Sequence, residues 1–197
     1  MVFRRNWMWL LPIAILLLAV LSAELILAHW RQERPDFADG QTHTSIPVAS
    51  SSFANNDRIP EKFTCNGAGL SPDIQLPSPP AGTKSYLLVM DDPDARGFVH
   101  WLLYNIPADV RDIPVGASSR KALPAGAAEG ENSASYTGYF GPCPPGSSPH
   151  HYVFRLYALD TDFKLPAGRT RKQLADTVKG HILAEGSTTG LYTHGGG

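Results

Sequence analysis

Apolar residues along the chain cluster in three runs with the length and spacing of β-strands. These runs cover residues 84–91 (KSYLLVMD), 99–106 (VHWLLYNI) and 151–159 (HYVFRLYAL). In the third run alternate residues fall on opposite faces of an extended chain, and both faces are largely apolar. A strand that buries both faces lies inside a layered structure. The pattern therefore predicts a mainly β domain of sandwich type.

A different period predicts one helix in the segment 170–186. Leu174, Val178 and Ile182 recur every four residues, Thr170 is suited to the N-cap, and Gly186 is suited to a C-terminal stop. Elsewhere the 17 prolines and 18 glycines favour short strands joined by loops. Residues 107–139 are rich in Ala, Gly and Ser with little periodicity, so we predict a loop there.

The first 30 residues form a segment of their own. An almost unbroken apolar run covers residues 7–28, directly behind Arg4 and Arg5. A helix needs roughly 20 apolar residues to cross a bilayer. Residues 1–30 are therefore predicted to be a signal peptide or a signal anchor, with membrane contact through residues 7–28. Neither outcome is favoured, because no clean cleavage motif follows.

Export follows from the charges in front of that run. Arginines preceding a hydrophobic segment stay in the cytoplasm, so the rest of the chain is expected in the periplasm or outside the cell. Residues 31–47 are polar and predicted to be a tether, and residues 48–197 are predicted to be one domain. In an oxidising compartment Cys65 and Cys143 are a candidate disulfide, with two free thiols as the alternative.

The overall charge argues against one class of partner. The formal net charge is −1, and 43% of the residues are hydrophobic, an ordinary globular composition. The sequence has no basic stripe with interleaved aromatic residues. Nucleic acid is therefore not an expected partner.

Two segments carry most of the unusual polar residues. The first is MDDPDARGFVHW (90–101), and the second is GYFGPCPPGSSPHHYVF (138–154). Each has a stiff turn beside an apolar strand, where binding groups often lie. Histidines, a tyrosine hydroxyl and backbone N–H groups of residues 141–146 are donors that suit an oxyanion. A nearby aspartate makes sense in such a site only if it orients a histidine.

Two other chemistries fit these segments less well. A hydrolase would need a nucleophile, but the sequence has no G-x-S-x-G elbow. A metal site built from Asp92, Asp94, His100 and His150 lacks H-x-x-x-H or H-E-x-x-H spacing, and a donor-rich glycine loop would not help a cation. No cofactor or resident metal is expected.

The two segments, in this order, resemble the phosphatidylethanolamine-binding protein family, and specifically its bacterial Raf-kinase-inhibitor-like branch. FTCNGAGLSPDIQL, Gly130 with Asn132, and the closing GHILAEGSTTGLY extend the resemblance over about residues 52–193. It implies an antiparallel β-sandwich with a few peripheral helices and a small anion-binding pocket at one end. The ligand-binding residues it implies are Asp92, Pro93, His100, Trp101, Gly141, Cys143, Pro144, His150 and Tyr152.

The resemblance also sets the functional expectation. Eukaryotic members of the family bind phosphorylated head groups weakly, some bind kinases or other signalling proteins, and no catalytic activity is generally established. We therefore expect an exported, non-catalytic binding protein for a small anionic group. The alternatives are an inhibitor that docks on another protein and an unrecognised hydrolase. This chain departs from the family at Arg96, usually proline, at His151, commonly arginine, and at Leu76, frequently tryptophan.

Overall fold

The computed structural model describes residues 37, 41–118 and 120–194. In chain order the elements are β1 (Thr44–Ser45), β2 (Asp57–Arg58), a first 3-10 turn (Glu61–Phe63), β3 (Ile74–Gln75), β4 (Ser85–Asp92), a second 3-10 turn (Pro93–Ala95), β5 (Phe98–Pro107), β6 (Asp112–Ile113), β7 (Ala128–Glu129), β8 (His150–Leu159), α1 (Arg171–Val178) and β9 (Ile182–Tyr192). The predicted mainly β fold with few helices is confirmed.

The strands form one large and one small sheet. The large sheet has seven strands in the order β1-β9-β8-β4-β5-β7, with β2 also paired to β9, and the small sheet is β3-β6. The long strands β4, β5, β8 and β9 pair antiparallel to one another. The two-residue strands β1 and β2 pair parallel to β9, so the expected antiparallel arrangement does not extend to this edge.

Other elements pack on both faces of the large sheet. One face packs against the small sheet, where Tyr152, Phe154 and Leu156 of β8 join Ile74 of β3 and Ile113 of β6. On the opposite face α1 covers the sheet with Leu174, Ala175 and Val178, which meet Tyr157 and Leu159 of the same strand. The expectation that β8 is buried on both sides is confirmed for residues 156–159, whereas Val153 and Arg155 on the helix-facing side are half-buried. Helix α1 adds a layer on that side.

The predicted helix is shorter than its periodicity suggested. Thr170 caps α1 as expected, with Gln173 completing a reciprocal capping box. The helix ends at Val178, and Gly180 adopts a left-handed φ of 79° that turns the chain into β9. Gly186 lies in the middle of β9 and does not end a helix. A Cβ at that position would overlap the Ile46 carbonyl oxygen, so only glycine lets the two backbones approach.

Most of the N-terminal segment lies outside the described residues. The predicted helix within residues 1–30 lies outside them. Among the residues that are described, no helix is long and apolar enough to cross a membrane. Thr44–Ser45, which fall within the predicted tether, pair with β9, and the adjoining Ile46 is buried. The sheet therefore begins before residue 48.

Candidate functional site

Three aspartates in the segment 90–101 point in three different directions. Asp91 and Asp92 are consecutive in β4, so their side chains lie on opposite faces of the sheet. Asp91 accepts a hydrogen bond from Arg171 of α1 at 2.7 Å. Asp92 is 2% exposed and lies on the other face. Asp94 lies in the following turn and is exposed, and the backbone N–H and ring of His151 hold its pKa below the usual value.

Asp92 fixes the orientation of His150. Its Oδ2 lies 2.7 Å from Nδ1 of His150, and its Oδ1 accepts from the backbone N–H of Ala95 at 3.0 Å. Because a carboxylate oxygen only accepts, Nδ1 of His150 carries a proton. The remaining ring nitrogen, Nε2, faces away from Asp92. When the ring is protonated the two side chains form an ion pair, and Nε2 becomes a second donor.

His100 is held differently, through a β-bulge in β5. The register Met90↔Trp101 changes to Asp91↔Val99, so His100 is the extra residue. Its Nδ1 lies 2.8 Å from the Phe140 carbonyl oxygen, and the Phe140 N–H donates to the His100 carbonyl at 2.8 Å. Burial lowers the pKa of His100 below its usual value, which favours the neutral ring.

Tyr152 stands between these groups. It is fully buried, and its ring meets His100 edge-on with 5.0 Å between centroids. Burial, reinforced by the nearby Asp92 carboxylate, raises the pKa of Tyr152 well above its usual value. The phenol therefore keeps its proton beside the Asp92 carboxylate. Asp92 itself accepts from two donors, the Ala95 N–H and Nδ1 of His150.

These groups open onto one cavity of about 210 Å³. Six of the nine residues implied by the family resemblance line it, and they are Asp92, His100, Cys143, Pro144, His150 and Tyr152. The other lining residues are Ala95, Phe98, Phe140 and Pro145. A polar wall of Asp92, His150 and Tyr152 therefore faces an apolar wall of aromatic rings and prolines.

Three of the implied ligand residues lie outside the cavity lining. Trp101 is fully buried in the core, where its Nε1 donates to Glu129 at 2.7 Å. Pro93 is an exposed residue that opens the second 3-10 turn. A Cβ on Gly141 would lie 3.0 Å from the Phe63 carbonyl oxygen, so this glycine lets the loop pack closely. Each of the three is next in the sequence to a residue that lines the cavity.

Phe98 and Phe140 were not identified from the sequence. Their ring centroids lie 4.9 Å and 5.6 Å from that of His100, and they form much of the apolar wall. Both fall inside the two polar segments, but each looks there like an ordinary core residue. Only their positions in the sequence could have identified them as cavity residues, since Phe98 is two residues before His100 and Phe140 directly precedes Gly141.

A disulfide fastens residues 141–149, here called the cavity loop, which carry part of this wall. Cys65 and Cys143 are bonded, with 5.5 Å between their Cα atoms, which confirms the predicted pair. Beside it the Cys65 N–H donates to the Pro142 carbonyl at 3.1 Å. His194, which the sequence gave no reason to select, places Nδ1 3.6 Å from the Cys65 sulfur. The cavity loop is therefore tied to the segment after the first 3-10 turn.

One cluster near the cavity has the residue types of a metal site. Asp92, Asp94 and His150 each offer a ligand atom, and the three atoms lie within 4.8 Å of one another. Asp92 and His150 already bond to each other, and Asp94 accepts from the His151 N–H at 2.7 Å. The cluster is therefore satisfied by hydrogen bonds within the protein.

A larger groove, of about 670 Å³, lies over β1, β8 and β9 and is lined by residues such as His43, Arg155 and Glu185. It contains none of the residues that the two polar segments bring together. The smaller cavity has the higher density of buried polar groups, since Asp92, His100 and Tyr152 are each at most 4% exposed. We therefore take the smaller cavity as the candidate site.

Comparison with known proteins agrees with this geometry. The family model described as phosphatidylethanolamine-binding protein matches residues 49–193. The chain belongs to the phosphatidylethanolamine-binding protein family. The matched region contains every residue that lines the candidate cavity, together with both cysteines of the disulfide.

Several family members are similar over most of their length. A UPF0098 protein of Methanothermobacter thermautotrophicus is 39% identical over 145 residues, which cover 73% of this chain and 95% of that relative. LppC of Mycobacterium tuberculosis, named as a candidate lipoprotein, is 40% identical over 75% of this chain and 72% of its own. The crystal structure of Escherichia coli YbcL, described as a member of the mammalian family, has a TM-score of 0.69 and 32% identity, covering 74% of this chain and 96% of YbcL.

Proposed function

We propose that this protein is an exported binding protein whose cavity holds a small anionic group, such as phosphate, without transforming it. The observation that carries the proposal is the bond between Asp92 and His150 at 2.7 Å. It fixes a histidine at the cavity with Nδ1 occupied and Nε2 turned away from the carboxylate. In the protonated ring, Nε2 is a charged donor, which binds an oxyanion more strongly than a neutral donor does.

The negative charge of Asp92 does not prevent this role. Its oxygens accept from the Ala95 N–H and from Nδ1 of His150, each within 3.0 Å. A buried carboxylate surrounded by donors exerts a weaker field on a ligand than a bare one. The expected binding is selective and weak, because the ligand still lies near a negative charge.

The dimensions of the cavity favour a small ligand. Its volume of about 210 Å³ is below the roughly 300–1,000 Å³ that is usual for drug-sized molecules. The apolar wall of Phe98, Phe140 and Pro144 leaves room for a short carbon chain beside the charged group. A phosphate or a small phosphorylated head group meets both conditions.

The lining residues also support binding without turnover. Among the described residues around the cavity there is no serine or threonine, and the sulfur of Cys143 is held in the disulfide. The covalent routes that use a serine or threonine hydroxyl or a free thiol therefore have no nucleophile in the lining. A panel of esters and phosphoesters should show no turnover with protein that binds phosphate.

Export rests on separate support. The disulfide belongs to an oxidising compartment, and the relative LppC carries the name of a candidate lipoprotein. Fusing an alkaline phosphatase reporter after residue 197, with and without residues 1–30, tests it. Reporter activity that depends on residues 1–30 supports export, and equal activity without them contradicts it.

Isothermal titration calorimetry with inorganic phosphate tests the binding function. Wild-type protein should bind saturably, and His150→Gln should weaken binding at least tenfold because the charged donor is lost. His151→Gln is the matched control, since His151 is the adjacent residue, is exposed, and pairs with Asp94. Saturable binding that survives His150→Gln unchanged would contradict the proposed site.

Docking on another protein is a second candidate function, favoured by one observation. Tyr136 is 44% exposed and meets Phe140, a cavity residue, edge-on at 6.1 Å. Exposed tyrosine is a common anchor at protein interfaces. A partner captured by wild-type protein and lost with Tyr136→Ala, while phosphate binding is unchanged, would support docking.

A further inference from the structure

The two histidines of the cavity differ in what Nε2 can do: one is placed to donate a hydrogen bond to a ligand, and the other is placed to accept one. This difference limits which anions can bind. Both donate from Nδ1 into the protein, His150 to Asp92 and His100 to the Phe140 carbonyl oxygen. Each therefore offers only Nε2 to a ligand. What Nε2 does depends on whether the ring carries a second proton.

His150 is placed to use its charged form. Its Nδ1 meets a carboxylate oxygen at 2.7 Å, and its side chain is 14% exposed. A protonated ring then makes an ion pair with Asp92 and presents Nε2–H as a donor. An anion in the cavity adds further attraction for this charge.

His100 is placed to use its neutral form. It is 4% exposed, and its Nδ1 partner is an uncharged carbonyl group. Three aromatic rings surround it, with centroids 4.9 Å away for Phe98, 5.0 Å for Tyr152 and 5.6 Å for Phe140. In this form Nε2 carries a lone pair and accepts a hydrogen bond.

We propose that the cavity selects an oxyanion that still carries a proton, namely hydrogen phosphate or a singly protonated phosphomonoester. The bound group would accept from His150 Nε2 through a bare oxygen and donate to His100 Nε2 through its P–OH. Sulfate and phosphodiesters have the same tetrahedral shape but no proton to donate. Their oxygen would face the lone pair of His100.

This inference rests on the proposed function and makes it narrower. It excludes the phosphodiester of an intact phospholipid head group as a tight ligand and keeps free phosphate and phosphomonoesters. Sulfate or a phosphodiester could bind beside His100 only if the His100 ring took up a proton from solution. Burial opposes that, and the charged and titratable groups that face His100 are Asp92, His150 and Tyr152.

Four probes separate these ligands by calorimetry at pH 7 with the full chain. They are inorganic phosphate, methyl phosphate, dimethyl phosphate and sulfate. Phosphate should bind at least tenfold more tightly than sulfate or dimethyl phosphate, a difference of about 1.4 kcal/mol. Methyl phosphate should bind increasingly well towards pH 6, where more of it carries a proton. Sulfate or dimethyl phosphate binding as tightly as phosphate would overturn the inference.

The acceptor can also be removed directly. In His100→Asn the amide nitrogen can keep the bond to the Phe140 carbonyl oxygen, while no atom replaces Nε2. The phosphate-to-sulfate affinity ratio should then fall close to one. Should this variant not fold, the comparison of the four anions on the wild type still tests the inference.

The outcomes show separately whether the cavity binds anions and whether His100 selects among them. If none of the four anions binds, the proposed anion-binding function fails. If all bind with similar affinity and His150→Gln weakens them all, the binding function stands and the selection by His100 is wrong. Phosphate preference that persists in a folded His100→Asn would also contradict the role of His100.

Discussion

At the scale of single residues, the bond from His150 to Asp92 determines what the cavity can hold. It places a potential positive charge beside a buried negative one and leaves one nitrogen for a ligand. Removing either side chain changes more than charge, because each side chain helps to orient the other. The pair should therefore be tested by replacements that keep the size of the side chain.

Asp92→Asn keeps the shape of the side chain and removes its charge. His150 then loses its ion-pair partner, and phosphate affinity should fall about tenfold, the scale of one hydrogen bond to a charged group. Calorimetry measures the change. Asp94→Asn is the matched control two residues away, and it should alter the affinity less than threefold. An Asp92→Asn protein that binds phosphate as the wild type does would show that this pair plays no part.

His100 should make stability depend on pH. Its folded-state pKa lies below the value of about 6.5 expected in the unfolded chain, so the unfolded state takes up a proton that the native state does not. The free energy of unfolding should therefore be fully present above about pH 6.5, and should fall as pH drops through the folded-state pKa. Urea denaturation between pH 7.5 and pH 5 measures this.

His100→Asn supplies the comparison for that experiment. It can keep the bond to the Phe140 carbonyl oxygen and has no titrating ring. The part of the pH dependence due to His100 should disappear in the variant. If the free energy of unfolding changes with pH in the same way for the two proteins, the pKa of His100 does not differ between the native and unfolded states.

Sequence reasoning separated Asp92 from its two neighbouring acids through the family resemblance, and strand alternation gives the physical basis. It could not supply the Phe140 carbonyl oxygen as the partner of His100, because residue types carry no information about a backbone group 40 positions away. Nor could it foresee the turn at Arg96, whose φ of 59° proline cannot adopt. That turn must differ from one with the proline usual in the family.

At the scale of elements, the site depends on adjacent strands whose ends lie side by side at one edge of the sheet. β4 supplies Asp92 at its last residue, β8 supplies His150 at its first, and these strands are antiparallel neighbours. Antiparallel pairing brings the end of one strand beside the start of the other, which places the two side chains at one edge. β5 adds His100 through its bulge. The site is therefore held by strands that carry much of the core.

Gly186→Ala should weaken the sheet edge at β1. The new methyl group would overlap the Ile46 carbonyl oxygen, so β1 and β9 must move apart. We expect a loss of about 2–3 kcal/mol, in the range for overpacking. Ser187→Ala, at the next and exposed strand position, is the control and should change stability by less than about 0.5 kcal/mol. Urea denaturation that finds the two variants equally stable would argue against this close approach.

Strands β4, β5 and β8 could be predicted from the sequence, and β9 could not, because its residues are smaller. β4, β5 and β8 are rich in large apolar and aromatic residues, which signal a strand directly. The inward positions of β9 include Ala184, Gly186 and Gly190, small because other backbone and side chains pack against them. Small residues give little hydrophobic signal, and the fourfold spacing ending at Ile182 extended the predicted helix into the strand.

At the scale of the whole molecule, the disulfide joins parts of the chain that are distant in sequence. It closes a loop of 78 residues and ties the cavity loop to the segment following the first 3-10 turn. The cavity loop is exposed and lacks regular structure, so this bond is a principal restraint on it. Pairing was predictable only together with export, since reduced cysteines would give the same sequence.

Replacing both cysteines with serine should lower the free energy of unfolding by about 2–5 kcal/mol, because the unfolded chain regains the freedom that the cross-link removes. Urea denaturation of the oxidised wild type and the double variant measures the loss. Reduced wild-type protein is the control and should match the variant. Equal stability of all three proteins would mean that the cross-link adds nothing to the fold.

Phosphate titration followed by NMR of the histidine side chains tests whether His100 and His150 form one anion-binding cavity. We predict saturable shifts in the ring signals of His100 and His150, little change at His151 and His181, and loss of the response in His150→Gln. The absence of a saturable shift at either cavity histidine, or a response that His150→Gln leaves intact, would contradict this prediction.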